Sequence, residues 1–142
     1  MSVWAALHGR HAYLDSNVLI ALLEGGGTTG LALQGLFALF AEGAVLASTS
    51  ELTLAEVLVQ PIAARDHHRA DAFRALLAQG GMIAVVPVGR GVIEAAAALA
   101  AETRMALADC IHVATAVQAG CDVFVSNDRG LVLPSQMESW RF

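Results

Sequence analysis

Apolar residues along the chain come in two kinds of run that alternate. Short, nearly unbroken β-prone runs occupy 11–14 (HAYL), 44–49 (AVLAST), 82–88 (MIAVVPV) and 121–128 (CDVFVSND). Between them lie longer apolar stretches that predict helices over 18–24, 30–43, 51–60, 66–79, 92–101 and 107–119. Strands that are apolar throughout, alternating with helices, indicate a parallel sheet buried on both faces. The punctuation agrees. Ser16 or Asn17 caps the first helix and the glycines at 25–27 stop it, with GGGTTG read as a flexible loop. Gly43 ends the second helix, Ser50 caps the third, Pro61 ends it, and Gly120 closes the last. The tail, 136–142, adds a short edge strand. The expected fold is a three-layer α/β/α sandwich around a central parallel sheet of four to five strands. One domain spans 1–142, with no repeat, low-complexity segment or linker.

Composition narrows the class. Of 142 residues, 56% are hydrophobic and 15% charged, against the usual ~45–50% and ~25%. Disorder requires the opposite balance. No apolar run approaches the ~18 residues of a membrane span. The apolar surplus fits helices on both sheet faces together with an apolar subunit interface. The formal net charge of −5 argues against a broad basic face that grips nucleic acid unaided. It leaves room for phosphate contacts made through bound cations. All the bases are arginines, which removes any lysine nucleophile, Schiff base or P-loop lysine. Cys110 and Cys121 lack a CxxC partner and read as buried, reduced thiols rather than a disulfide or zinc site. The start, MSVWAALHGR, has no export-signal pattern, so the expected location is the cytoplasm.

Chemistry in such a sheet lies beyond the carboxyl ends of the strands. Asp15 follows one strand and Asp128 another. Asp122 begins a strand, which puts it on the order of 20 Å from Asp128 at roughly 3.3 Å per residue. Glu56, in LTLAEVLV, and Asp109, in MALADCIHVATAV, sit among apolar neighbours. A buried carboxylate without a partner costs several kcal/mol. Arg104 is the one base near Asp109 in sequence, and none lies within a helical turn of Glu56. A divalent cation held by Asp15, Glu56, Asp109 and Asp128 resolves this. Oxygen ligands select Mg²⁺ or Mn²⁺, and metal-assisted phosphodiester hydrolysis is the chemistry that such a cluster supports.

The segments YLDSNVLIALL, SELTLAEVL and ALADCIHVATAVQAGCDVFVSNDRGL resemble the motifs of PIN-domain ribonucleases. The likeness is nearest to VapC-type toxins of bacterial toxin–antitoxin pairs and runs from about His11 to Leu133. It implies Asp15, Glu56, Asp109 and Asp128 as the acidic quartet. It further implies a Mg²⁺- or Mn²⁺-dependent endoribonuclease with one or two ions, homodimeric and silenced by a cognate antitoxin. Ser126 stands where the family often has Thr, which keeps the hydroxyl.

Each residue also has a structural reading. Asp15 can cap a helix, Glu56 can be a salt-bridged core acid, Asp109 can pair with Arg104, and Asp128 can be a turn residue. His112 shares a helix face with Asp109 and is either a hydrogen-bonded core histidine or a substrate contact. Asn17 and Ser126 orient carboxylates or satisfy loops; Arg104 and Arg129 hold RNA phosphates or offset the acids. His67 and His68, in ARDHHRAD, read as a solvated face. The helix containing LALQGLFALF is a core element, an antitoxin groove or a dimer surface. The competing function is a catalytically idle PIN-like module that binds RNA or a protein. A dehalogenase-type phosphatase would want D-x-D where Asp15-Ser16-Asn17 stands, and a receiver domain would need a lysine.

Overall fold

The computed structural model describes residues 3–142. Five strands, β1 (His11–Leu14), β2 (Leu46–Ser50), β3 (Ile83–Val86), β4 (Val123–Val125) and β5 (Glu138–Trp140), form one sheet. Its order is β3-β2-β1-β4-β5 and every pairing is parallel. Parallel neighbours need crossovers, and six helices supply them: α1 (Ser16–Glu24), α2 (Gly27–Ala41), α3 (Glu51–Ala63), α4 (His67–Leu76), α5 (Arg90–Thr103) and α6 (Leu107–Gln118).

Alternation along β1 divides the core. Ala12 and Leu14 point to one face, where Val18 and Leu19 of α1, Leu33 and Leu36 of α2, Val57 of α3 and Phe73 of α4 pack. Tyr13 points to the other, against Val113 and Ala116 of α6 and Phe124 of β4. Helix α5 lies outside α6, with Val92 and Ala96 packed on Cys110 and Ala114. The three-layer α/β/α expectation holds, at the upper end of its strand count. Burial on both faces is why the inner strands lack polar alternation.

Several expected boundaries move. The cap of α1 is Asp15, whose side chain accepts from Ser16 N, in place of Ser16 or Asn17. The GGGTTG segment is largely helical, because α2 starts at Gly27. The corner between α1 and α2 is confined to Gly25 and Gly26. Gly25 N donates to the Ala21 carbonyl at 2.6 Å, and a Cβ on Gly25 would run into that same carbonyl. Gly30 likewise faces the Gly25 carbonyl too closely for a side chain. Helix α3 continues through Pro61 to Ala63. Pro61 lies in the last turn, so its missing N–H removes one ladder bond, and its ring is buried. In α2, Leu33, Leu36, Phe37, Leu39 and Phe40 are buried, which makes it chiefly a core element.

Candidate active site

The strand order reverses between β1 and β4, and in an open α/β sheet a crevice forms at that switch point. The register pairs Leu14 with Val125, so the residues that follow, Asp15 and Ser126, emerge side by side. Asp15 N donates to the Val125 carbonyl at 3.2 Å and extends the ladder by one residue. The Asp15 side chain is buried. Its Oδ1 accepts from Ser16 N and its Oδ2 from the Ser126 hydroxyl, each at 2.7 Å. Ser126 Oγ in turn accepts from Asp128 N at 3.0 Å and from Asn17 Nδ2 at 3.4 Å. A hydroxyl has one proton and two acceptor sites, and all three are used. Ser126 therefore ties Asp15, Asn17 and Asp128 together.

Asp128 itself is exposed. Its Oδ1 accepts from Gly130 N at 2.8 Å, an Asx-type turn. The preceding Asn127 takes Phe142 N at 2.8 Å, so the end of the described chain holds this loop from outside. From inside, Thr49 donates to the Leu14 carbonyl at 2.7 Å, and Thr53 lies 2.7 Å from Thr49 Oγ1. Neither threonine was singled out in the sequence, where only their tertiary partners give them meaning.

Glu56 projects from α3 and Asp109 from the first turn of α6. Glu56 is not enclosed by apolar neighbours: its side chain keeps 31% exposure, and Oε1 lies 2.6 Å from His112 Nε2. The sequence offers no base within a helical turn of Glu56, and the fold supplies a histidine from elsewhere. That partner comes from α6, a helix that sequence distance gave no reason to consider. His112 is buried and uses its other nitrogen as well, with Nδ1 at 2.6 Å from the Tyr13 hydroxyl. Tyr13 is fully buried and stacks on Phe124 at 4.9 Å; burial holds its phenol above the ordinary range.

Asp109 is partly exposed. Burial pushes its carboxyl up, and the charges of Asp128 and Asp15 push it further, with Glu56 adding and His112 opposing. Acids from three other segments therefore bear on Asp109. The pairing of Asp109 with Arg104 is absent among the described residues' ion pairs. Arg104 is exposed and ends α5 in the left-handed region, at φ 62°. Arg129, His67 and His68 are also exposed, as a solvated face requires.

Asp122 lies at the other end of the sheet. It accepts from His11 N at 2.9 Å and from Arg10 Nε at 2.7 Å. Burial opposes these bonds, yet they hold its carboxyl below the ordinary value. Its exclusion from the site stands. Both cysteines are free and buried, and burial pushes the Cys121 thiol up to about 12, which leaves it unreactive.

Among the described residues, no three His, Cys, Asp or Glu side chains already form a finished metal-ligand set. The carboxylates rest instead on Ser16, Ser126, Gly130 and His112. The donor chemistry nevertheless suits a hard cation: carboxylate oxygens, plus the buried Asn17 Oδ1, which has no hydrogen-bond partner. An apolar groove of about 380 Å³ lies elsewhere, between α5, α6 and residues 132–134, and contains none of the four acids.

A parallel sheet covered on both faces, with acidic residues gathered at its switch point, defines an α/β/α domain with an acidic site. The chain belongs to the PIN domain family, whose model matches residues 12–133. No curated protein matches it significantly. Several solved structures share the fold. A toxin–antitoxin complex from Klebsiella pneumoniae is 22% identical with a TM-score of 0.63, covering 89% of this chain and 98% of that one. VapBC2 from Rickettsia felis, bound to a DNA fragment from its promoter, is 11% identical at 0.69, covering 93% and 98%. VapC20 from Mycobacterium tuberculosis, described as a sarcin–ricin loop cleaving toxin, is 18% identical at 0.68, covering 83% and 90%. No helix among the described residues is long and apolar enough to cross a membrane.

Proposed function

We propose that this chain, as one domain over 1–142, is a metal-dependent endoribonuclease and the toxin of a type II toxin–antitoxin pair. The observation that carries the reading is the emergence of Asp15 and Ser126 side by side at the carboxyl end of the sheet, with Ser126 joining the Asp15 carboxylate to the Asp128 backbone. Asp15, Glu56, Asp109 and Asp128 are the residues that would hold one or two Mg²⁺ or Mn²⁺ ions. When bound, such an ion lowers the pKa of an attacking water and offsets charge on the scissile phosphate. The chain's part is to orient. Ser126 and Ser16 fix the Asp15 carboxylate, Ser126 holds the backbone of Asp128, and Asn17 offers an unpaired oxygen. Arg104 and Arg129, both exposed, are available for RNA phosphates.

The reading includes a cytoplasmic protein, a homodimer and a cognate antitoxin. Exposed Ile93, Val117 and Val132 on and beside α5 and α6 offer apolar area for a subunit contact. Family membership and the fold shared with toxin–antitoxin structures support it.

The test is cleavage of total cellular RNA, and of a sarcin–ricin loop oligonucleotide, by purified protein with Mn²⁺, with Mg²⁺ and with EDTA. Discrete fragments that need metal and vanish with Asp15→Asn are expected. No cleavage by folded, antitoxin-free protein, with RNA still retained, would replace this reading with the idle binding module.

A further inference from the structure

His112 is a buried polar group that the four acids' roles leave unexplained. It is 2% exposed, and Val113 and Ala116 of its own helix belong to the apolar core. An imidazole in such surroundings needs hydrogen bonds, and any nearby backbone carbonyl would satisfy one nitrogen. Here both nitrogens face side chains, Tyr13 at one end and Glu56 at the other. The three groups form a line from the centre of the sheet to the partly exposed acid.

The direction of the protons follows from the donor inventory. An ionised Glu56 can only accept, so His112 Nε2 must carry a proton. In a neutral imidazole Nδ1 is then an acceptor, and the Tyr13 hydroxyl must donate to it. Tyr13 suits that task. It is fully buried, stacked on Phe124 and edge-on to His112 at 5.8 Å, so its hydroxyl has little freedom to turn away.

We propose that Tyr13 and His112 are positioning residues for Glu56: the Tyr13 hydroxyl anchors the His112 ring through Nδ1, and Nε2–H holds Glu56 Oε1. The inference rests on the metal-site reading given above. It adds a device outside the four acids, built on β1 and α6, that decides how the α3 carboxylate is presented. Losing an orienting partner of this kind typically costs about 10–100-fold in metal affinity.

The experiment uses the full chain. Nitrogen-15 NMR of the imidazoles reads the His112 tautomer in the wild type and in Tyr13→Phe, and water-proton relaxation reads Mn²⁺ affinity in both. The Nε2–H form is expected in the wild type, and Mn²⁺ binding weakened on the order of tenfold in Tyr13→Phe, where the ring loses its anchor. An Nδ1–H wild type overturns the proposal. So does a Tyr13→Phe protein with unchanged Mn²⁺ affinity. A second pair covers a variant that fails to fold: His112→Gln keeps a donor for Glu56 and should bind Mn²⁺ better than His112→Leu, and equal affinities overturn the proposal. A wild type that binds no Mn²⁺ defeats the metal-site reading instead, while the imidazole spectrum still decides whether His112 donates to Glu56 through Nε2.

Discussion

Ser126 shows how much of a site one small side chain can organise. Its hydroxyl gives its proton to Asp15 and receives from Asp128 and Asn17, all in a buried position. Ser126→Ala strands a buried carboxylate oxygen and a backbone N–H, so a loss of about 1–3 kcal/mol in urea unfolding is expected, together with slower RNA cleavage. Ser126→Thr keeps the hydroxyl and should restore both; equal stability of the Ala variant and the wild type would remove Ser126 from this role. Asp109 makes a second prediction. Its carboxyl sits above the ordinary value of 3.8, so the folded chain binds that proton more tightly than the unfolded chain. The resulting stabilisation is complete below the unfolded value and is lost as pH rises through the folded one. Metal-free Asp109→Asn, neutral at every pH, should therefore melt higher than the wild type at pH 7, with the gap closing as the pH is lowered toward 3.8. Identical melting at pH 7 would mean that neither burial nor the neighbouring acids press on the Asp109 carboxylate.

Among elements, the ends of the helices depart most from expectation, because capping there depends on partners distant in sequence. Asp15 caps α1 while bonded to Ser126 across the switch point, a contact invisible to local patterning. The start of α2 inside GGGTTG follows from the close approach of Gly30 to Gly25, where glycine permits packing as well as flexibility. Helix α5 ends on Arg104 in the left-handed region, a conformation that costs a side-chain-bearing residue about 1–2 kcal/mol. Part of that cost returns as unfolded-state entropy when glycine is introduced. Arg104→Gly is expected to stabilise the chain by up to about 1 kcal/mol in urea unfolding, and a loss of stability would mean that the arginine side chain makes a contact worth more than the strain. RNA cleavage by the same variant separates a phosphate contact, which it would lose, from a helix end without a substrate role.

For the whole molecule, the decisive arrangement is charge. A chain of net charge −5 sets Asp15 and Asp128 at one end of the sheet and Asp109 within reach of their charge and that of Glu56, and a folded state of that kind is expected to gain from a bound cation. Millimolar Mn²⁺ or Mg²⁺ should raise the melting temperature by several degrees, since a ligand at about 100-fold over its Kd adds about 2.7 kcal/mol. Asp15→Asn should shrink the rise. An unchanged melting temperature with both ions in the wild type would count against the cluster as a cation site.

Period and composition were enough for the layers and the parallel sheet, because strands buried on both faces must be apolar throughout. Strand-end position was enough for Asp15 and Asp128, and for setting Asp122 aside. The family resemblance, carried by motifs in order along the chain, reached the PIN domain. What the tertiary structure alone decided is the pairing around those acids. Thr49 beneath Leu14, Ser126 between Asp15 and Asp128, and Tyr13 behind His112 and Glu56 join residues from different strands and helices. Local pattern reports which side of an element is apolar. A hydrogen bond between two elements depends on strand order, register and helix approach, which emerge only when the sheet is assembled.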